Sequence, residues 1–250
     1  MRSKILFISI SLILTATNCS SDQKVISTKN LKSYYYPVED LNQPKVYYYK
    51  SEKELNRHLF WKLSKKEENG VTYLITDAFT YGQNGEIQKV EEIKERITKE
   101  GSFVVNYVQY EHDDLGNTFK LNSTMKDSCV FKWEMTSDEK IDWSFRNESM
   151  IFPNYTRSIS KKRSLENVEE KFEYKGENKP AVLFSDHLNT KYTNINTGSI
   201  DNAFEMDQIS FYAKDIGMTK YTRKFEDGSD ITFELYDILT MHEWNEKLGK

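Results

Sequence analysis

Two cysteines in 250 residues, Cys19 and Cys129, are too few for a disulfide framework. Stability has to come from a hydrophobic core, which a chain of this length can bury unaided. Basic residues are not in excess either, since 35 Lys and Arg stand against 39 Asp and Glu. Nucleic-acid binding rests on cationic neutralisation of phosphate, so that partner is excluded. The four histidines, His58, His112, His187 and His242, fall in unrelated segments without metal-ligand spacing. No Gly-x-Ser-x-Gly elbow, phosphate-binding glycine loop or His-Glu-x-x-His helix occurs. The 39 acids offer many carboxylate pairs for glycoside hydrolysis, but abundance singles out none of them. The pattern carries no catalytic constellation and implies no cofactor or metal.

Long apolar runs are scarce as well. "ILFISISLIL", Ile5 to Leu14, is the one long stretch, broken only by Ser9 and Ser11, and it follows Arg2 and Lys4. It is too short to cross a bilayer as a helix, which takes roughly 20 residues, but it suits the apolar region of a secretory signal. Thr15, Ala16, Thr17 and Asn18 then lead into Cys19. This resembles the end of a bacterial lipoprotein signal, in which such a thiol receives lipid and becomes the first residue of the mature chain. The family usually has Leu three before the cysteine and Gly or Ala just before it, where this chain has Ala16 and Asn18. The Ser20-Ser21-Asp22 tail and the Lys-, Asn- and Tyr-rich composition resemble lipoproteins of unknown function from the Bacteroidetes group. The resemblance implies a signal peptide over residues 1–18, lipid on Cys19, and a place in the bacterial envelope, held to the outer membrane. The other reading is a secreted protein cleaved near Thr17, with Cys19 incidental. Without residues 1–18, 232 residues remain, with 33 basic and 39 acidic side chains and a formal charge of −6.

Residues 19–31 are polar and aperiodic, as a tether is. Residues 32–250 read as a single β-rich domain. Aromatics make up 14% of the chain, including 16 Tyr and 14 Phe, and prolines number only four, all of which favours strands. The triplets "YYYP" (Tyr34 to Pro37) and "YYYK" (Tyr47 to Lys50) read as an opening strand pair, consecutive tyrosines serving both faces. Gly70, Gly85, Gly101 and Gly116 recur at intervals of 15 or 16 residues, two of them in Asn-Gly turns. The stretches between them predict an antiparallel meander of strands about ten residues long. "EIQKVEEIKERITKEG" has helical spacing at Ile87, Val90, Ile93 and Ile97, yet Ile87, Ile93 and Ile97 also share a strand face. The flanking strands favour a charged strand over residues 86–98.

Strict alternation marks "CVFKWEM" and "IDWSFR", with Cys129, Phe131, Trp133 and Met135 on one face and Ile141, Trp143 and Phe145 on another. With "TSDEK" as the turn between them, all seven are expected on one buried surface. "RSLENVEEKFEYKG" and "KPAVLFSDHL" read as two further strands, "NTKYTNINTGSID" as a loop, and "SKKRS" (Lys161 to Arg163) as a solvated strand end or loop. "EHDDLGN" reads as a solvated acidic turn at Glu111, Asp113 and Asp114. Near the end, Asp227-Gly228 forms a hairpin turn, and Thr240 with Glu243 makes a capping box for a short C-terminal helix.

"FYAKDIGMTKY" resembles the closing hairpin of several bacterial envelope families of unknown function, through Phe211, Tyr212, Ala213, Lys214, Ile216 and Gly217. Asp215 departs, since Gly is commoner there. The resemblance implies a mainly β fold: a meander of long strands forming a curved open sheet or half-barrel. Its concave aromatic face, Trp61, Phe131, Trp133, Trp143 and Phe211, is expected either to take an acyl chain or other apolar small molecule or simply to pack as a core. The expected function is a membrane-anchored, non-enzymatic binding or structural module. The alternatives are a surface hydrolase acting on polysaccharide or protein, and a protein-binding subunit of a surface complex.

Overall fold

The structure is a computed structural model that describes residues 28–51, 58–82, 85–113, 116–126, 128–148 and 154–249. The signal segment, Cys19, most of the tether and Asp114 lie outside the described residues. A two-residue strand, β1 (Lys29–Asn30), is followed by two 3-10 turns, Lys32–Tyr34 and Val38–Asp40. Then comes a meander of β2 (Lys45–Ser51), β3 (His58–Glu68), β4 (Val71–Tyr81), β5 (Ile87–Ile97), β6 (Gly101–His112) and β7 (Thr118–Asn122). Short strands β8 (Thr124–Lys126), β9 (Cys129–Lys132) and β10 (Glu134–Met135) lead to a second meander. It comprises β11 (Lys140–Glu148), β12 (Tyr155–Tyr174), β13 (Glu177–Asn194), β14 (Ile200–Ala213), β15 (Gly217–Phe225) and β16 (Asp230–Leu239), and helix α1 (Met241–Lys247) closes the chain.

The two meanders join where β2 pairs with β16, giving one antiparallel sheet in the order β7-β6-β5-β4-β3-β2-β16-β15-β14-β13-β12-β11-β8. Its twist carries the ends round until the sheet nearly closes. Across the remaining seam the Tyr107 and Phe145 rings lie 4.2 Å apart, centre to centre. Asn147 Nδ2 donates to Gln109 Oε1 (2.7 Å) and Ser123 Oγ (3.2 Å) over the same gap. The result is a barrel-like β structure with one short helix outside, as the meander pattern and the capping box predict.

The turns behave as their chemistry demands. Asn69 and Gly70 both have positive φ, the geometry of a two-residue hairpin turn. The Glu/Lys-rich segment is a strand, β5, because its charges find partners on neighbouring strands. Lys89 bonds Asp77 at 2.7 Å, Asp77 also bonds Lys62 at 2.7 Å, and Lys94 reaches Glu68 at 2.6 Å. Such cross-strand pairs override the helical spacing. Tyr47 and Tyr49 point into the barrel and donate to the Ile216 and Met218 carbonyls, both at 2.8 Å. Tyr48 points out and packs with Phe60 in the cluster that buries Trp244 of α1.

Four expectations need correction. "YYYP" is not a strand: Tyr34 ends a 3-10 turn, and Tyr35 and Tyr36 are both buried as the chain turns inward ahead of Pro37. "CVFKWEM" and "IDWSFR" do not pair as a hairpin. β9 adds to β6, β10 pairs with β1, and β11 pairs with β12 and β8. Their apolar faces therefore divide: Phe131, Trp133, Met135 and Ile141 join the main core with Cys129 against it, while Phe145 and Trp143 join a second cluster at the seam. The proposed loop at "NTKYTNINTGSID" is strand as far as Asn194, because β13 pairs with β14 along its length. Finally, Lys161 and Arg163 are buried inside the barrel, and only Lys162 between them is exposed.

Candidate functional site: the barrel interior

One end of the barrel is stoppered by the segment from Leu31 to Leu41. Tyr35 donates its hydroxyl to Glu95 Oε2, with Ser102 Oγ 3.2 Å from the phenol oxygen, and its ring packs on Phe131 (4.9 Å) and Trp133 (5.4 Å). Tyr36 meets Tyr47 edge-on at 5.4 Å and lies against Gly217. Beneath and around this stopper the interior is solid, with Phe131, Phe184, Leu63, Leu74 and Tyr49 essentially without exposure.

Above the stopper the interior is hollow. A small cavity of about 140 Å³ reaches down to Tyr35, Tyr36 and Glu95. A larger one of about 350 Å³ continues toward Thr190, Tyr192 and Phe204, within the range of roughly 300–1,000 Å³ typical of small-molecule sites. Trp61, Ile93, Tyr107, Trp143 and Tyr212 line both. The open end lies far from the stopper, since Ala213 beside Gly217 is at one end of the β13–β14 ladder and Phe204 with Thr190 toward the other.

The wall between the two cavities carries charge. Arg163 grips Asp186 with two parallel bonds, Nε to Oδ1 at 2.7 Å and Nη2 to Oδ2 at 3.1 Å. Lys161 Nζ lies 2.9 Å from Oδ2, and Ser210 Oγ donates to the same oxygen at 3.0 Å. Asp186 has no exposed surface. Burial alone would raise its pKa, but the Arg163 and Lys161 charges overcome that and hold its carboxyl well below the usual range. For Lys161, burial wins over the attraction of Asp186, and with repulsion from Arg163 and Arg223 its ammonium is pushed down to about 8. Glu95, sealed under Tyr35, is raised above the ordinary carboxylate range by burial, against the bonds from Ser102 and Tyr35. Arg223 donates Nε to Gln208 Oε1 at 2.9 Å and lies over the Tyr221 ring at 5.1 Å.

Of the five aromatics expected on one concave face, the hollow brings together Trp61 and Trp143. Phe131 is in the solid floor, and Trp133 packs beside the stopper, donating Nε1 to the Thr98 carbonyl at 2.8 Å. Phe211 stays outside, because the neighbouring Tyr212 takes the inward position. The histidines stand apart from the hollow: His58 bonds the Tyr48 hydroxyl (2.8 Å), His112 the Lys89 carbonyl (2.9 Å) and His187 Asp207 (2.9 Å), while His242 is exposed on α1. Asp113 accepts from the Asn117 backbone and side chain, as a turn aspartate does. Among the described residues no three His, Cys, Asp or Glu side chains converge as metal ligands.

The charged wall shows in the sequence only as the alternation Ile159-Lys161-Arg163-Leu165, which puts two cations on an inward face between apolar residues, and Phe184-Asp186-Leu188, which does the same for their partner.

The same barrel occurs in two solved Bacteroidetes structures. One is a "putative lipoprotein" from Parabacteroides distasonis, matched with a TM-score of 0.50 at 9% identity over 82% of this chain and 98% of that one. The other is a "putative exported protein with YmcC-like fold" from Bacteroides fragilis, with a TM-score of 0.51 at 12% identity over 83% of this chain and all of that one. At such identities the likeness is one of fold. No protein-family model matches the sequence, and no curated protein does.

Proposed function

We propose that the chain is an envelope lipoprotein, anchored through Cys19, whose barrel interior holds an apolar small molecule without chemically altering it. The observation that carries the binding half is the unfilled interior walled by Trp61, Ile93, Tyr107 and Trp143. A core built only for stability closes such space, since side chains that face a hollow forfeit packing contacts there. The anchoring half rests on the apolar run ending at Cys19 and is supported by the fold shared with a protein described as a lipoprotein. The chain also enters the barrel at its stoppered end, where Leu31 N donates to the Trp133 carbonyl at 2.7 Å.

Two measurements test the reading. Cells fed labelled palmitate should label the wild-type chain and not Cys19→Ser, and persistent labelling of the variant overturns the anchor. The Cys19→Ser chain, freed of lipid, should bind the neutral dye Nile red at one saturable site with a blue-shifted emission. Ile93→Trp, which fills the hollow, should abolish that signal. A dye response unaffected by Ile93→Trp places the binding elsewhere and overturns the interior site.

A further inference from the structure

Resting on that reading, we infer that the ligand is a single-chain amphiphile with an anionic head, seated against Arg223 and Lys161 in the wall of the larger hollow. Arg157, Lys161, Arg163 and Arg223 all line this cavity, against Glu91 alone. Behind the wall Asp186 answers Arg163 and Lys161, and Glu111 stands 3.9 Å from Arg157. Arg163 is fully engaged, by Asp186 through two nitrogens and by the Val130 carbonyl through the third, at 3.0 Å. Arg223 is the cation left over. Among the described residues no carboxylate pairs with it, and its hydrogen bonding is confined to the Nε bond to Gln208. Lys161 spends one donor on Asp186 and keeps the others.

A half-buried guanidinium facing an aromatic-lined cavity gives up part of its hydration without gaining a paired anion. It becomes favourable when an anion completes the pair, most strongly through the bidentate geometry that Arg offers a carboxylate. The adjoining surfaces of Trp61, Ile93, Trp143 and Met206 suit a hydrocarbon tail. A purely apolar ligand would satisfy those walls and leave Arg223 unanswered.

The test is competition against Nile red on the Cys19→Ser chain, using tetradecanoate and tetradecanol. An apolar hollow without a head-group site prefers the alcohol, which is the more hydrophobic of the two. The charge argument predicts the reverse: tetradecanoate displaces the dye at a concentration at least about tenfold lower, a difference equivalent to about 1.4 kcal/mol. Arg223→Gln should erase that preference without changing the alcohol's affinity, and Arg223→Lys should restore most of it. Equal displacement by acid and alcohol, or equal loss of both in Arg223→Gln, overturns the head-group assignment while leaving the apolar site standing. Failure of both to displace the dye overturns the two together.

Discussion

Gly217 opens β15 with φ at 101°, and the Tyr36 ring of the stopper lies where its side chain would be. A side chain there is disfavoured twice, by the left-handed backbone and by the clash with the ring. Gly217→Ala should therefore cost at least about 2 kcal/mol, in the range of strain and overpacking combined. Urea unfolding followed by tryptophan fluorescence measures it, and an unchanged midpoint would show that the stopper does not seat against this hairpin.

Asp186 is the counter-charge for two buried cations, so its neutralisation is more damaging than loss of one hydrogen bond. Asp186→Asn should destabilise by about 3–5 kcal/mol, the cost of leaving buried charge uncompensated. The carboxyl's depressed pKa makes its contribution present above the ordinary aspartate value and lost as pH falls toward the folded one. The gap between wild type and Asp186→Asn should accordingly narrow below about pH 4. Thermal melts at pH 7 and pH 3 check this, and equal stability of the two proteins at pH 7 contradicts it.

Glu95 behaves in the opposite sense. Its pKa is raised by burial, so between the unfolded and folded values the folded chain holds the extra proton and stability falls as pH rises. A neutral Gln carries no such pH-dependent penalty. The stability of Glu95→Gln relative to wild type should be greater at pH 7 than at pH 4, read as the change in urea midpoint. No pH dependence in that difference would mean that the Tyr35 and Ser102 bonds fully offset the burial.

The sheet was legible because its punctuation is local. Asn69-Gly70 sets its hairpin through positive φ at both residues, Asp227-Gly228 through positive φ at Gly228 and the Asp227 carboxylate accepting from Ser229, and Thr240 with Glu243 caps α1 through four adjacent residues. What escaped depends on distant partners. The alternation in "CVFKWEM" gives faces correctly but not neighbours, and β9 turns away from β11 to pair with β6. Tyr35 and Tyr36 look like strand residues until Glu95 and Gly217, far along the chain, supply the surfaces that receive them. Lys161 and Arg163 look solvated until Asp186, 23 residues beyond Arg163, is placed opposite on β13. Trp61 and Trp143, two of the five aromatics, lie inward on their strands, whereas Phe211 faces out because Gln208, Ser210 and Tyr212 hold the inward positions of β14 in unbroken alternation.

The interior site is tested most directly by quenching with a brominated acyl chain bound to the Cys19→Ser protein. Of the four tryptophans, Trp61 and Trp143 line the hollow, while Trp133 sits beside the stopper and Trp244 on α1 packs against the outer face of the sheet. Bromine quenches only at close range, so single-tryptophan chains retaining Trp61 or Trp143 should be strongly and saturably quenched. Those retaining Trp133 or Trp244 should keep nearly all their emission. Quenching of all four alike, or of none, would contradict a ligand held within the barrel.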